Sequence, residues 1–272
     1  MRKYTYNIIL GADADATPIV WNWENANALA IIGKGGSGKT TSAVYWLSQL
    51  ACQGVRFMLA DPHMENKQSL YAQTVHLHKS LLAPCVKEYK DITMYVNYIH
   101  ELGRKRINNE VEHFPLVLVI DEFTSYVINS DDTKRASLTL LDSINQYRKV
   151  NLRVMLIGQS WGQAVKKISD LRDQISDAVI LRTNANDANK FCAFQATAKE
   201  ATLLAPGRGY YQDEMIWIPR ITETGKFITR RKVDLFNHSA ITIKNEPITR
   251  AQIRTNLYNN EALLESYLKD DT

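Results

Sequence analysis

Between Gly33 and Thr40 the chain reads GKGGSGKT. Every fixed position of the phosphate-binding loop G-x-x-x-x-G-K-[ST] is filled. The residue types answer a chemical need: phosphate oxygens have to be met by several backbone N–H groups pointing inward, and glycine lets the backbone turn and approach without a Cβ in the way. A loop of this kind opens a helix, whose N-terminal dipole favours the same anion. Gly33, Lys34, Gly35, Gly36, Ser37, Gly38, Lys39, Thr40 and Thr41 are therefore expected to hold a nucleotide. Lys39 would reach the β- and γ-phosphates of ATP, and the Thr40 hydroxyl would ligand Mg²⁺. The alternative is a glycine-rich turn that binds nothing, and the flanks argue against it. Ala28 to Ile32 is a short apolar run of the kind that makes a buried parallel strand, and Thr40 to Ala51 places Ala43, Leu47, Leu50 and Ala51 at helical spacing.

A second set of chemical groups lies downstream. Leu116-Val117-Leu118-Val119-Ile120 is the most apolar run in the chain and ends in Asp121-Glu122. A central strand that delivers two carboxylates beside a phosphate loop is the Walker B arrangement, with Asp121 holding Mg²⁺ through water and Glu122 polarising the attacking water. Glutamate in that place favours hydrolysis over transfer to a substrate hydroxyl, so a small-molecule kinase is disfavoured. Leu152 to Ile157 reads as another buried strand, ending in Gly158-Gln159-Ser160. Gln159 is either placed to sense the γ-phosphate and position water or is an ordinary polar strand end, and spacing alone leaves both open.

The elements that position these groups alternate strand and helix. Tyr4 to Leu10 and Pro18 to Trp21 read as antiparallel strands ahead of the phosphate loop, and Val55 to Ala60 as a strand ending in Asp61-Pro62-His63. Asp91 is the expected N-cap of a helix bearing Ile92, Tyr95, Val96, Ile99 and Leu102, whose last turn, Arg104-Lys105-Arg106, reads as solvated cations suited to the helix dipole. Further helices are expected over Thr133 to Lys149 and Trp161 to Asp177, then a strand from Ala178 to Leu181. Thr197 with Glu200 forms an expected capping box, and a hairpin turns around Asp213-Glu214. The pattern predicts an α/β fold with a mostly parallel central sheet flanked by helices and a small C-terminal appendage. Residues 1–218 form the expected main domain, with 1–24 an antiparallel extension. Residues 219–272 form a basic and helical tail, carrying Lys226, Arg230, Arg231 and Lys232 and then a helix over Arg250 to Lys269.

Composition bounds the class. The chain has 272 residues, 45% of them apolar and 23% charged, which is ordinary for a soluble globular protein. A net charge of +4 permits a nucleic-acid partner without arguing strongly for one. Cys52, Cys85 and Cys192 lack metal-ligand spacing and read as reduced thiols of a cytoplasmic protein. No apolar run has the length of a bilayer span, and the opening MRKYTYNIIL does not read as a signal peptide, so direct membrane insertion is not expected.

The order of motifs resembles the FtsK/HerA superfamily of DNA-pumping ATPases, and within it the motor domain of FtsK/SpoIIIE translocases. The segments that carry the likeness are ILGADADATPIVWNW, IIGKGGSGKTTSAV, FMLADPH, LVLVIDEF, QYRKVNLRVMLIGQS, and the block from ISDAVILRTN to LLAPGRGYY. The resemblance implies a sensor strand ending in Gln between the Walker A and Walker B strands, which favours a functional Gln159. It implies that Arg148 is an arginine finger inserted into a neighbour's ATP site in a ring, most often a hexamer. From residues alone Arg148 reads as a helix-end cation. Arg182 is similar in place to a phosphate-contacting residue of some HerA-like members, and Arg208 lies in the glycine-rich turn before the last hairpin. The resemblance further implies a RecA-like fold, with residues 1–218 as the ATPase motor domain. Three features depart from the family: its winged-helix module is not recognisable, no membrane anchor is expected, and the segment before Walker B is shorter than in chromosome translocases.

The expected activity is ATP hydrolysis coupled to movement of double-stranded DNA, in a stripped motor of a mobile element, plasmid or virus recruited by a protein partner. Lys166, Lys167 and Arg172 are candidate DNA contacts, set against a solvated helix face. The rivals are a conjugation coupling or genome-packaging ATPase handling other DNA forms, and an ATP-dependent assembly switch that moves nothing.

Overall fold

The computed structural model describes residues 6–129, 131–168, 171–221 and 227–228. Strands β1 (Ile8–Ala12), β2 (Pro18–Trp21) and β3 (Ala28–Ile32) lead into helix α1 (Lys39–Cys52). Next come β4 (Arg56–Ala60), the short helix α2 (Leu70–Gln73), a 3-10 turn at Val75–Ser80, the long helix α3 (Tyr89–Ile107) and β5 (Leu116–Ile120). Helices α4 (Phe123–Asn129) and α5 (Asp131–Tyr147) precede β6 (Leu152–Gly158), and α6 (Trp161–Lys167) and α7 (Leu171–Gln174) precede β7 (Asp177–Ile180). Two short helices, α8 (Ala185–Ala188) and α9 (Gln195–Glu200), lead to the hairpin β8 (Arg208–Tyr211) and β9 (Glu214–Trp217), and β10 (Arg220–Ile221) pairs with β11 (Phe227–Ile228).

The first nine strands form one sheet in the order β2-β1-β9-β8-β7-β3-β6-β5-β4. From β7 to β4 the pairings are parallel; from β2 to β7 they are antiparallel. Strands β3, β5 and β6 are buried at every residue because helices cover both faces, and β3 and β5 accordingly read as unbroken apolar runs, while β6 carries Arg153 within its run. Alternate side chains serve alternate faces. Ala28, Ala30 and Ile32 join a core with α3 and α5, while Leu29 and Ile31 join one with α1. Each fully buried Leu or Ile contributes about 1.5–3 kcal/mol, so the cores on either side hold the strand tips in register.

The N-terminal hairpin is fixed to α1 by polar side chains. Strand β1 meets β9 only at Ala12 opposite Trp217. Along the rest of β1, Trp46 Nε1 donates to the Leu10 carbonyl at 3.0 Å and Gln53 Nε2 to the Asn7 carbonyl at 2.9 Å. Gln49 both accepts from the Ile9 N–H and donates to the Ile9 carbonyl, each at 2.9 Å, as a neighbouring strand would.

Several elements differ from the sequence expectation. The first strand lies at Ile8–Ala12 rather than Tyr4 to Leu10. The helix expected from Thr133 begins at Asp131 and closes at Tyr147, where a 3-10 turn and Asn151 at φ 60° end it. The helix expected from Trp161 to Asp177 breaks after Lys167 because Ile168 turns to an extended conformation and is buried in the core. Asp91 sits inside the first turn of α3 and is not its cap. Thr197 lies inside α9, so no capping box forms there. Arg106 is not solvated. It is 0% exposed, donates to the carbonyls of Phe114 and Val150 at 2.8 and 2.9 Å, and lies over the Phe114 ring; burial pushes its pKa down to about 9. The basic and helical tail expected beyond Pro219 lies, apart from residues 220–221 and 227–228, outside the described residues. No helix among the described residues is long and apolar enough to cross a membrane.

Helices α3 and α5 meet at Gly103, where a Cβ would overlap the Tyr147 ring. That ring cannot swing away, since its hydroxyl is bonded to His100 through the ring nitrogen and the backbone carbonyl. Gly103→Ala gains about 0.5–1 kcal/mol of helix propensity but costs about 1–3 kcal/mol in overpacking. The expected result is a net loss of about 1–2 kcal/mol, read as a lower urea midpoint at unchanged slope.

Candidate active site

Strand β6 lies between β3 and β5, so the phosphate loop, Gln159 and the Asp121-Glu122 pair emerge from three adjacent strand ends on one edge of the sheet. Neighbouring strands are about 4.8 Å apart, so side chains from these tips meet. The loop is slung between the ends of β6 and β7, the two strands that flank β3. The Gly33 N–H donates to Gly158 O at 3.3 Å, the Lys34 N–H to Arg182 O at 3.0 Å, and the Ser37 N–H to Lys34 O at 3.2 Å. Gly36 and Gly38 have φ of 71° and 103°, a region that favours glycine. Gly38 caps α1 without a side-chain hydrogen bond, which leaves the helix N-terminus facing the loop's interior.

Lys39 is 8% exposed and its Nζ donates to Lys34 O at 3.3 Å. Burial lowers its pKa, against the opposing pull of Glu122 and Asp121. Asp121 is 7% exposed, and its pKa is pushed up to about 7, chiefly by burial and then by the charges of Asp61 and Glu122. The Glu122 N–H, donating to Asp121 Oδ1 at 3.0 Å, and the Lys39 charge act in the opposite direction. Asp61, at the end of β4, is 0% exposed; its two oxygens accept the N–H groups of His63 and Tyr71 at 2.9 Å each, folding the turn that follows. The sequence places Asp61 on the ligand edge but carries no sign of this turn-building role.

Glu122 sits at φ 51°, a left-handed conformation uncommon for its type. Gln159 Nε2 donates to Glu122 Oε1 at 2.7 Å. The main-chain N–H groups of Gln159 and Ser160 donate to Thr124 Oγ1 at 3.2 and 3.4 Å. Thr124 and Gly158 escape sequence reasoning, because a Thr in a helix and a Gly at a strand end carry no motif.

Arg182 also reaches the loop, its Nη2 donating to Gly36 O at 3.5 Å. The turn before Arg208 approaches it too, with Gly207 N 3.8 Å from where a Gly38 Cβ would stand; the Arg208 side chain itself is exposed and lies 5.8 Å from the Trp217 ring centre. Arg148 is elsewhere. It precedes β6, so the seven residues of that strand, on the order of 20 Å, separate it from Gln159; it is exposed and donates to Asn25 O at 2.9 Å. Lys166 is exposed on α6, Lys167 Nζ donates to Ile128 O at 2.8 Å, and Arg172 Nε donates to Lys190 O at 2.7 Å while stacking over Phe191. Lys167 and Arg172 thus serve main-chain carbonyls.

The residues fit a nucleotide with a magnesium ion. Ser37 Oγ is buried and without a hydrogen-bond partner inside the loop, and the described residues hold no cluster of three or more His, Cys, Asp or Glu that would cage a metal unaided. A hydroxyl at Thr40 and one carboxylate at Asp121 suit an ion that takes its other oxygens from phosphate and water.

Residues 23–165 match the AAA domain family. The chain belongs to this family. As an AAA domain protein it is an ATPase, and the solved structures it resembles in fold include ATPases. ATPases 2 and 3 of EssC from Geobacillus thermodenitrificans share 19% identity at a TM-score of 0.62, over 81% of this chain and 42% of that one. The cytoplasmic domain of the Thermomonospora curvata type VII secretion ATPase EccC shares 14% at 0.61, over 82% and 30%. VirB4 of Thermoanaerobacter pseudethanolicus shares 14% at 0.57, over 78% and 95%. The AAA domain chain thus spans under half the length of the EccC and EssC chains. No curated protein matches it.

The raised pKa of Asp121 makes a pH prediction for the AAA domain without nucleotide or metal. A carboxyl that binds its proton more tightly folded than unfolded adds stability that is fully present below its ordinary value of 3.8 and is lost as pH rises through about 7. Thermal unfolding from pH 5 to 8 should show the midpoint falling as pH rises, and Asp121→Asn should flatten that slope. Equal slopes in the two proteins would count against a proton on Asp121.

Proposed function

We propose that the chain is an ATP-driven ring motor that moves double-stranded DNA through a central channel.

 The observation that carries this reading is the separation of Arg148 from its own site: Lys39, Asp121, Glu122 and Gln159 gather at one edge of the sheet, while Arg148 stands exposed beyond the far end of β6. An arginine so placed reaches a triphosphate only in a neighbouring copy. The DNA half of the reading rests on the FtsK/HerA likeness and on the net charge of +4. It is also supported by fold relatives such as the pCW3 conjugation coupling protein TcpA, solved with ATPγS (13% identity, TM-score 0.57, over 80% of this chain and 66% of that one).

In this mechanism the phosphates of ATP lie on the N–H groups of the glycine loop, and Lys39 leaves the Lys34 carbonyl for the β- and γ-oxygens. Thr40 and, through water, Asp121 would hold Mg²⁺, which would supply charge neutralisation at the phosphate oxygens. Gln159 exchanges Glu122 for the γ-phosphate, and Glu122, released, polarises the attacking water. Arg148 of the neighbour compensates the charge that develops in the transition state, so turnover depends on assembly. Basic loops grip DNA through its phosphates without reading sequence, and Arg182 and Arg208 steady the nucleotide from the side of the loop. The same motor handling other DNA forms, as a conjugation coupling protein such as TcpA would, is the second reading.

Turnover per subunit is expected to rise with protein concentration and again with duplex DNA. Arg148→Ala alone should lose about a thousandfold in rate, the lower end of what an arginine finger supplies, and mixing it with Lys39→Ala should restore part of it. Parental turnover by Arg148→Ala removes the ring mechanism, and stimulation by single strands in place of duplex selects the second reading.

A further inference from the structure

We infer that Thr124 is a positioning residue for hydrolysis: it fixes the distance between Glu122 and Gln159 by keying the helix after Walker B to the tip of the sensor strand. The inference rests on the roles proposed above for Glu122 and Gln159.

Thr124 is 0% exposed and lies in the first turn of α4, two residues after Glu122. Strand β6 ends at Gly158 and α6 begins at Trp161, so Gln159 and Ser160 occupy the connection between them, where neither sheet ladder nor helix supplies their N–H groups with acceptors. Both residues are half-buried, and main-chain donors kept from water need a partner. Thr124 Oγ1 accepts from both, at 3.2 and 3.4 Å.

The fit is close on the other side as well. A Cβ at Gly158 would stand 2.5 Å from Cγ2, 2.8 Å from Oγ1 and 3.1 Å from Cβ of Thr124, so only glycine lets the helix come this near the strand tip. A β-branched side chain has few χ1 choices, and with its methyl against Gly158 the hydroxyl is aimed at the two N–H groups. Glu122 belongs to the chain entering α4 and Gln159 to the chain leaving β6, and their side chains meet at 2.7 Å. For Gln159 to exchange Glu122 for a phosphate, its side chain must turn while its main chain stays in place, and the Thr124 oxygen holds that main chain. Misplacement of a reacting group by about 1 Å can cost about a hundredfold in rate.

The test compares Thr124→Val, which keeps the shape and removes the acceptor, with Thr124→Ser, which keeps the acceptor, in the full chain. Steady-state ATPase kinetics, ATPγS affinity and thermal unfolding are measured for each. Thr124→Val should lower kcat about tenfold or more with KM and ATPγS affinity within about twofold, and Thr124→Ser should stay within about threefold of the parent. If Thr124→Val does not fold, Thr124→Ala carries the same expectation, with space in place of the lost group. Parental kcat in Thr124→Val, a Ser variant as slow as the Val variant, or a parallel loss of kcat and ATPγS affinity each overturns the inference. Glu122→Gln and Gln159→Ala separate it from the reading beneath it. If either hydrolyses ATP at the parental rate, the proposed roles of that pair are wrong; if both are slow and Thr124→Val is not, Thr124 alone has been misassigned.

Discussion

The rest of the site follows from burying Lys39 close to the buried carboxylates Asp121 and Asp61 at the ends of the parallel strands. Taking a charge out of water is costly unless it is paired, and the site has one buried ammonium facing Asp121 and Glu122, with Asp61 behind them. The depressed pKa of Lys39 and the raised pKa of Asp121 are two expressions of the same shortage of solvent. Such a cluster is stable only if the strands that deliver it are rigid, and β3, β5 and β6 are buried at every residue. It also explains why the loop is built of main chain: N–H dipoles can meet an incoming anion without adding another buried charge.

The opposite edge of the sheet uses buried charge differently. Arg153, on β6, is 2% exposed, and its guanidinium donates to the carbonyls of Trp23, Leu152 and Arg148 while lying over the Trp23 ring. Burial, and then the neighbouring charge of Arg148, pushes its pKa down to about 9. Arg106 likewise serves carbonyls at the end of α3, one of them Val150. Guanidinium groups with several donors in a fixed plane can close off the carbonyls where chain segments end, as a carboxylate partner would not. The main chain around Arg148 is therefore held from within while its side chain stays at the surface, bonded to a single carbonyl.

Legibility in the sequence followed how local each cause was. The strands β3 and β5 occupy the residues their apolar runs mark, because a strand covered on both faces has no polar position to blur its limits. The phosphate loop is legible because its chemistry is main-chain chemistry at a fixed spacing. The break between α6 and α7 was hidden, since nothing in the local pattern says that Ile168 leaves the helix to reach the core. Arg106 was hidden because a cation at a helix end is normally solvated, and only the return of the chain at Phe114 and Val150 buries it. Gln159 stood undecided on spacing; its contact with Glu122 depends on β6 lying beside β5, a matter of strand order. Thr124 and Gly158 are a pair only in space.

Strand order also limits how two sites in a ring could communicate. In the proposed assembly the two ends of β6 serve different nucleotides, Gln159 at one end its own and Arg148 before the other end a neighbour's. A parallel strand hydrogen-bonded on both sides, to β3 and β5, cannot bend by itself without breaking ladder bonds on either flank. A signal from one site to the next therefore cannot travel as a local flexing of β6. It has to be a displacement of the whole parallel sheet, or of one copy against the next, and the antiparallel hairpin would go with it, because Trp46, Gln49 and Gln53 tie β1 to the helix that leaves the phosphate loop. The unit that moves is then set by hydrogen bonding: everything bonded to the loop, to α1 and to β6 turns together, and the freedom that remains lies at the surface between copies.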